Sequence, residues 1–341
     1  MATTTAIKSI LITGGAGFIG SHLTRKALAM EQFRETTFII LDDLSGGFRE
    51  NVPDDNRVQF VAGSITDNEL IDKLFDKHHF DYVYHLAAYA AEGLSHFIRR
   101  FNYTNNLIGS VNLLNAAVKH ACKCFVYTSS IAVYGPGQVP LMEDTVPQPE
   151  DPYGIAKYAF EMDLKAAYEM FGLKSVTFRP HNVYGEFQNI GDKYRNVVGI
   201  FMNRLLQGQP MPIFGDGEQL RAFTYIGDIA GLMASAPFVE RVENQVFNVG
   251  ADHPSSVNEL AQRVAEALNL PLETKYLAAR QEVKFAYSDH TKVVDVFGPQ
   301  QETSLEEWLA KMAAWVRQAG TRESQEFSDI EIRQNLPESW A

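Results

Sequence analysis

Short apolar runs alternate with amphipathic stretches through the first half of the chain. The runs fall at residues 7–13, 37–42, 58–62, 82–86, 124–129 and 175–179. Apolar runs of this length predict buried strands. Between them, helical spacing predicts helices over about 18–30, from about 67, over about 98–120 and over 153–171. Strands buried on both faces and separated by helices indicate an α/β fold with a doubly wound parallel sheet, the Rossmann architecture.

The pattern changes after Arg179, where proline, glycine and aromatic residues cluster in PHNVYGEF and PMPIFGDGEQ. Short elements follow, among them a predicted helix over 256–268. We expect a smaller C-terminal substrate-binding lobe over the carboxyl ends of the parallel strands, where open α/β sheets bind ligands. The expected division is 1–183 and 223–250 for the NAD-binding domain, 184–222 and 251–319 for the substrate-binding lobe, and 320–341 for a polar surface tail.

The composition narrows the range of partners. The chain has 341 residues, 45% of them hydrophobic, and a formal net charge of -12, so we expect no general attraction to nucleic acid or anionic membranes. Cys122 and Cys124 are too close for an ordinary disulfide and too few for a zinc site, so no metal is expected. No stretch approaches the roughly 20 apolar residues that span a bilayer, and no leader pattern is present. We therefore expect a cytoplasmic protein.

A glycine-rich turn follows the first predicted strand. ILITGGAGFIGSHL carries Gly14, Gly17 and Gly20, and the spacing also fits Gly15-x-Gly17-x-x-Gly20. Glycines at these positions permit a tight turn, close approach of the backbone to a pyrophosphate, and close packing of helix on strand. The helix that begins near Phe18 and Ile19 directs its N-terminal N–H groups at the phosphates. This context predicts a dinucleotide site.

Asp42 closes the second predicted strand, a little over twenty residues beyond the glycines. A carboxylate there can accept hydrogen bonds from both hydroxyls of an adenosine ribose and would repel a 2′-phosphate. NAD is therefore favoured over NADP. The alternative is that Asp42 only caps the next turn.

A possible proton-transfer set lies further along the chain. Ser130 stands in FVYTSSIAVYG, at the end of a predicted strand, and DPYGIAKYAFE places Tyr153 and Lys157 four residues apart on one helix face. An ammonium near a phenol favours the phenolate and lowers its pKa from about 10, which creates a base usable near neutral pH. Ser130 can hydrogen-bond the same substrate oxygen. The alternative is an ordinary pair on a helix surface.

Together TGGAGFIG, HLAA, TSSIAVYG and YGIAK resemble the extended short-chain dehydrogenase/reductase family, and within it the NAD-dependent sugar epimerase/dehydratase group. The resemblance runs from about residue 7 to about 315. It implies NAD as cofactor, a catalytic role for Ser130, Tyr153 and Lys157, and a homodimer built on helices near 98–120 and 154–171. Further implied cofactor contacts are Ser64 (where the family has an aspartate), Ile65, Leu86, Ala87, Ala88 and Asn105. Implied substrate contacts are Ser130, Asn182, Asn196, Arg221, Arg280 and Ala286.

The resemblance also bears on the reaction. Sugar 4,6-dehydratases of the group carry an Asp-Glu pair where this chain has Ile131 and Ala132, and uronate decarboxylases carry a Glu in this loop. Related 3,5-epimerases use a Cys at the position of Ala132 and a Lys near that of Arg204. What remains is C4 epimerisation of a nucleotide-diphosphate sugar, of UDP-hexose type, through a 4-keto intermediate. Two alternatives stay open: a dehydrogenase/reductase that releases its product, and a non-catalytic NAD-binding scaffold.

Overall fold

Seven parallel strands form the central sheet of the computed structural model, which describes residues 7–137, 139–195, 197–279, 284–300, 303–323 and 326–340. The strands of the described chain are β1 (Ser9–Thr13), β2 (Thr37–Asp42), β3 (Val58–Ala62), β4 (Tyr82–His85), β5 (Cys124–Thr128), β6 (Ser175–Pro180), β7 (Val183–Tyr184), β8 (Met211–Phe214), β9 (Leu220–Ala222), β10 (Thr224–Tyr225), β11 (Gln245–Val249), β12 (Pro254–Ser256), β13 (Thr274–Leu277) and β14 (Phe285–Ala286). The helices are α1 (Phe18–Leu28), α2 (Asn68–His78), α3 (Glu92–Ser95), α4 (Arg99–Tyr103), α5 (Gly109–Lys119), α6 (Pro152–Phe171), α7 (Val197–Leu206), α8 (Ile226–Ser235), α9 (Val257–Leu268), α10 (Thr291–Phe297) and α11 (Leu305–Ala319). A π-helical segment, Thr104–Ile108, joins α4 to α5.

The strand order of the central sheet is β3–β2–β1–β4–β5–β6–β11, and every pairing in it is parallel. The chain winds outward from β1 in one direction and from β4 in the other. A crevice forms at the carboxyl ends of β1 and β4, where the winding reverses, and this is the usual ligand position of such sheets. The doubly wound Rossmann fold is confirmed.

Both faces of the sheet are buried at its centre, which explains why the middle of β1 is continuously apolar, whereas the edge strand β3 is partly exposed and contains Gln59. Ile10 and Ile12 of β1 join one core cluster, while Leu11 between them joins the other. The first cluster includes residues of α1, α7, α8, α9 and α11, and the second includes residues of α2, α5 and α6. Alternate side chains of each strand therefore have an apolar layer to enter.

A smaller lobe is built from chain that leaves the sheet after β6 and again after β11. In it β9 pairs with β12 antiparallel and with β14 parallel, while β8 pairs with β13. The lobe itself was expected, and its proposed boundaries at 183, 222 and 250 stay predictions. In the part of the chain that the structure describes, no helix is long and apolar enough to cross a bilayer.

The polar C-terminal residues lie mostly exposed on the surface, and they are anchored to the rest of the molecule. We call residues 320–323 and 326–340 the C-terminal strap. Trp340 is 7% exposed and clusters with Ala91, Leu94 and Ile98 of the loop after β4. The Glu331 carboxylate accepts hydrogen bonds of 2.8 Å from two backbone N–H groups at the start of α4. The strap therefore fastens the loop after β4 to the rest of the molecule.

Candidate active site

A cavity of about 560 Å³ opens at the carboxyl ends of β1, β4 and β5, within the size range of ligand sites. Its walls come from the glycine turn, from the loops after β2, β4 and β5, and from the start of α6. Asn182, just after β6, also lines the cleft, and the smaller lobe contributes Arg195, Arg221 and Ala286. Most of the site residues predicted from the sequence therefore line this cleft.

The glycine turn keeps a bare stretch of backbone at the base of the cleft. Gly14 has a φ of 70°, in the left-handed region that favours glycine, and a Cβ there would lie 2.7 Å from the Ala87 nitrogen. A Cβ on Gly20 would lie 2.2 Å from the Gly14 oxygen, so α1 packs directly on the turn. The helix begins at Phe18, with its N–H groups at the cleft. This cradle fits the diphosphate of a dinucleotide.

Asp42 both lines the cleft and stabilises the turn beside it. The side chain is 8% exposed, with one carboxylate oxygen accepting from the Ala16 N–H at 3.0 Å and the other from the Leu44 N–H at 2.8 Å. Burial raises the pKa of this carboxyl group, and the backbone hydrogen bonds oppose that rise. The capping interpretation and the cofactor interpretation are therefore compatible.

Helix α6 positions the tyrosine and the lysine. The Asp151 carboxylate caps the helix by accepting from the Gly154 N–H at 2.9 Å, which places Tyr153 in the first turn. Lys157 follows one turn later on the same face. Its Nζ donates to the Thr128 carbonyl at 2.7 Å and lies 5.8 Å from the centre of the Tyr153 ring. Both side chains are buried and line the cleft.

Ser130 lies two residues beyond the end of β5 and also lines the cleft. Its hydroxyl oxygen accepts from the Ala132 N–H at 3.1 Å, and its hydrogen bonding favours the ionised form of Tyr153. The structure therefore brings Ser130, Tyr153 and Lys157 together at one end of the cleft.

The pKa shifts of Tyr153 and Lys157 differ from the sequence-based expectation. Burial raises the pKa of the Tyr153 phenol above its ordinary value, the Glu92 carboxylate raises it further, and Ser130 and Arg195 oppose the shift. Burial lowers the pKa of Lys157 to about 7. The expected lowering of the Tyr153 pKa by a neighbouring lysine is wrong for the protein alone, because desolvation outweighs the local charges.

Most residues implied as cofactor contacts lie on the cleft wall, among them Ile65, Leu86, Ala87, Ala88 and Asn105. Asn105 belongs to the π-helical segment, and its amide donates to the Asn106 side-chain oxygen at 3.0 Å. Ser64 is the exception, because it is not part of the wall. Its hydroxyl lies 2.9 Å from the Thr66 hydroxyl, within hydrogen-bonding distance.

The substrate-side residues are partly accounted for. Asn182 donates to the Ala222 carbonyl at 3.1 Å, and Arg221 donates to the Leu220 and Lys284 carbonyls at 2.9 and 3.1 Å. Ala286 of β14 pairs with Arg221 of β9. Asn196 and Arg280 lie outside the described residues.

Two residues of the cleft region were not identified from the sequence. Asn106 is 1% exposed, and its side chain accepts from the Tyr89 N–H at 2.8 Å and donates to the Tyr89 carbonyl at 3.0 Å. The Asn102-x-x-x-Asn106 spacing could have pointed to it, since the two amides also bond to each other at 2.8 Å. Arg195 precedes Asn196, and no motif marks it.

A doubly wound sheet with a glycine turn at its switch point, and a Ser–Tyr–Lys set over the strand ends, defines a nicotinamide-dependent enzyme of the short-chain dehydrogenase/reductase class. The profile of the NAD dependent epimerase/dehydratase family matches residues 10–250, and the chain belongs to that family. NAD is accordingly its cofactor, and the glycine turn and Asp42 fit that cofactor.

Comparison with individual proteins gives the same class. A putative UDP-glucose 4-epimerase from Methanocaldococcus jannaschii is 33% identical over 90% of this chain and 98% of its own length. The structure of the Thermotoga maritima UDP-glucose 4-epimerase with UDP-glucose matches with a TM-score of 0.85 at 35% identity, covering 91% of this chain and 99% of that chain. The Thermus thermophilus UDP-glucose 4-epimerase complex with NAD matches with a TM-score of 0.84 at 31% identity, covering 92% and 100%.

Relatives with other activities are almost as similar. A UDP-N-acetyl-alpha-D-glucosaminuronate decarboxylase from Bacillus cytotoxicus is 29% identical over 91% of this chain and 98% of its own length. Overall similarity therefore establishes the enzyme family, and the choice of reaction depends on the side chains of the cleft.

Proposed function

We propose that this protein is an NAD-dependent 4-epimerase of a nucleotide-diphosphate sugar, of the UDP-hexose type. The observation that carries the proposal is the chemistry of the loop after β5. The cleft contains Ser130, Tyr153 and Lys157, while the two residues after Ser130 on the cleft wall are the apolar Ile131 and Ala132. Elimination of water would need further acid and base groups here, whereas epimerisation at C4 needs only one proton site. The similarity to the two UDP-glucose 4-epimerase structures supports the same choice.

The residues would divide the work as follows. NAD, held by the glycine turn and Asp42, would supply the hydride acceptor for C4, and its positive charge would favour ionisation of the nearby phenol. The Tyr153 phenolate takes the proton of the 4-hydroxyl group and later gives it back. Ser130 donates a hydrogen bond to the same oxygen, and Lys157 supplies positive charge behind the phenol. Arg221, with its planar set of donors, holds the diphosphate of the substrate while the keto sugar rotates to present its opposite face.

The test is a substrate panel run in deuterated water without added NAD. The purified protein is incubated with UDP-, dTDP- and GDP-linked hexoses, N-acetylhexosamines and uronates, and products are separated by chromatography and identified by NMR and mass. We expect a mixture of 4-epimers with no deuterium on carbon, because the same hydride leaves and returns. Tyr153→Phe is the control and should convert the sugar at least about 100-fold more slowly.

Each other outcome identifies a different activity. Loss of water with deuterium on carbon indicates a dehydratase, loss of carbon dioxide a decarboxylase, and deuterium without change of composition a 3,5-epimerase. A requirement for added NAD or NADH in stoichiometric amounts indicates an oxidoreductase. No conversion of any sugar by NAD-loaded protein would leave the scaffold alternative. Any of these results rejects the 4-epimerase proposal.

A further inference from the structure

The cleft contains few positive charges for a site that binds a diphosphate. Among the described residues of its wall, the lysines and arginines are Lys157, Arg195 and Arg221. Lys157 is buried and bonded to the Thr128 carbonyl, and Arg221 belongs to β9 in the smaller lobe. Arg195 has no role in the chemistry described above, although its side chain is only 16% exposed.

Arg195 reaches from the smaller lobe to the loop after β2. Its Nη2 and Nη1 lie 3.0 and 3.6 Å from the position that a Cβ on Gly46 would occupy. That loop rests on the glycine turn: the Phe48 N–H donates to the Ala16 carbonyl at 3.0 Å, and a Cβ on Gly47 would lie 2.8 Å from the Gly17 nitrogen. The guanidinium therefore lies beside the part of the backbone that cradles a diphosphate.

The guanidinium is held in place before any ligand arrives. Its Nε donates to the Asp192 carboxylate at 2.7 Å, and Nη2 lies 2.6 Å from the same oxygen. Its flat face lies over the Tyr89 ring, with the central carbon 4.6 Å from the ring centre. Nη1 has no hydrogen-bond partner among the residues that the structure describes. One edge of the planar group is thus fixed, and the other can serve a phosphate.

We propose that Arg195 is a ligand of the NAD diphosphate, contributed across the cleft by the smaller lobe. The glycine turn supplies backbone donors from below, and Arg195 supplies a charged donor from the opposite wall. Bound NAD then joins the two lobes, which slows its release. The inference concerns cofactor binding and holds for any reaction that the family catalyses.

The test compares variants by NAD binding rather than by turnover. Removing Arg195 alone would leave the buried Asp192 carboxylate unpaired and could unfold the segment. We therefore choose the double variant Asp192→Asn/Arg195→Gln, together with Arg195→Lys, which keeps a charge but loses the planar fork. Lys193→Gln is the matched control, because Lys193 lies two residues away and pairs with Glu326 of the strap. Circular dichroism checks that each variant is folded.

Two readouts identify the diphosphate as the binding partner. The first is the release rate of bound NAD from the holoenzyme into excess isotope-labelled NAD. The second is calorimetric affinity of NAD-depleted protein for ADP-ribose and for adenosine. A charge-assisted hydrogen bond of the usual strength predicts that the double variant binds ADP-ribose about 10- to 100-fold more weakly and releases NAD correspondingly faster. Adenosine binding should be unchanged, Arg195→Lys intermediate, and Lys193→Gln like the wild type.

Three results would overturn the assignment. ADP-ribose affinity equal to that of the wild type would show that Arg195 does not contact the diphosphate. An equal loss for adenosine and ADP-ribose would indicate general loosening of the cleft. Unchanged NAD release with a raised KM for the nucleotide sugar would assign Arg195 to the substrate.

Discussion

The preference for NAD over NADP should depend on the charge of the Asp42 carboxylate. The carboxylate lies at the end of β2 on the cleft wall, with its two oxygens held by the N–H groups of Ala16 and Leu44. It cannot easily swing away from a 2′-phosphate, because that motion would break both bonds. Asp42→Asn keeps the size of the side chain but removes the charge and one of the two acceptors.

The magnitude follows from the charges. Two unit charges about 4 Å apart at an effective dielectric constant of about 20 interact by roughly 4 kcal/mol, and each 1.4 kcal/mol is about tenfold in affinity. Partial screening by solvent reduces this value. We therefore expect the wild type to prefer NAD by about 100- to 1,000-fold, and Asp42→Asn to prefer it by less than about tenfold.

The assay is the ratio of dissociation constants for NAD and NADP, measured on the same preparation. The ratio cancels any loosening of the turn, since lost hydrogen bonds to Ala16 or Leu44 weaken both cofactors alike. Asp43→Asn is the control: it removes the same charge one residue further on, where the carboxylate accepts from the Ser45 N–H at 2.9 Å. An Asp42→Asn ratio equal to that of the wild type, or a larger change for Asp43→Asn, would refute the reasoning.

Four further predictions follow from the site. Tyr153→Phe should lower kcat by about 100- to 10,000-fold while leaving NAD content unchanged, and a variant that keeps more than about a tenth of wild-type turnover would contradict a general-base role. Ala286→Tyr should selectively lower kcat/KM for N-acetylated sugars, because Ala286 lines the cleft beside Arg221, and an unchanged ratio to plain hexoses would show that it does not border the sugar. Lys157→Met should stabilise the NAD-free protein most below pH 7. Burial lowers the pKa of Lys157 to about 7 in the folded protein, so below that pH its buried ammonium lowers the free energy of unfolding. This cost falls as the pH rises from about 7 toward 10.5, the pKa of the lysine in the unfolded chain. Thermal unfolding at several pH values tests this, and a stabilisation that does not fade with rising pH would contradict it. Trp340→Ala should lower the free energy of unfolding by about 3 kcal/mol, measured with denaturant, because it empties the contact with Ala91 and Leu94; a change within error would mean that the strap contributes nothing.

Six of the seven strands of the sheet could be predicted because their signal is local and repeated, whereas β11 was not predicted. The predicted bounds of β2 and β3 agree with the structure, and those of β4, β5 and β6 differ by one residue. Periodicity predicted the extent of the helical run 99–119, but not the change of helix geometry within it. The run 98–120 was predicted as one helix, but it contains the π-helical segment Thr104–Ile108, whose hydrogen bonds the 3.6-residue pattern does not reveal.

The residues of the candidate site, too, could be predicted where a local motif marks them. Gly14, Asp42, Tyr153 and Lys157 belong to short motifs whose spacing carries the chemistry, and the structure gathers them in one cleft. Ser64 does not reach the wall, because its hydroxyl interacts with Thr66 two residues away, a local contact that competes with more distant roles.

The positions of Arg195 and of the strap could not be predicted, because they depend on contacts between distant parts of the chain. Nothing in the sequence near Arg195 indicates that Gly46 will lie beside it. The polar composition of the strap concealed its widely spaced apolar side chains, which pack on the loop after β4. The composition of a segment does not show where its few apolar side chains lie, whereas packing depends on the position of each one.

The position of the strap also affects the order in which the molecule can assemble. The Glu331 carboxylate accepts from the N–H of Arg100, 231 positions earlier, so anchoring the start of α4 requires the closure of a very long loop. On the ribosome, the strands of the central sheet emerge well before the strap does. A nascent chain can therefore form its sheet and glycine turn before the strap packs on the loop after β4. On its arrival, Trp340 then packs on Ala91 and Leu94, whose neighbours Glu92 and Gly93 line the cleft.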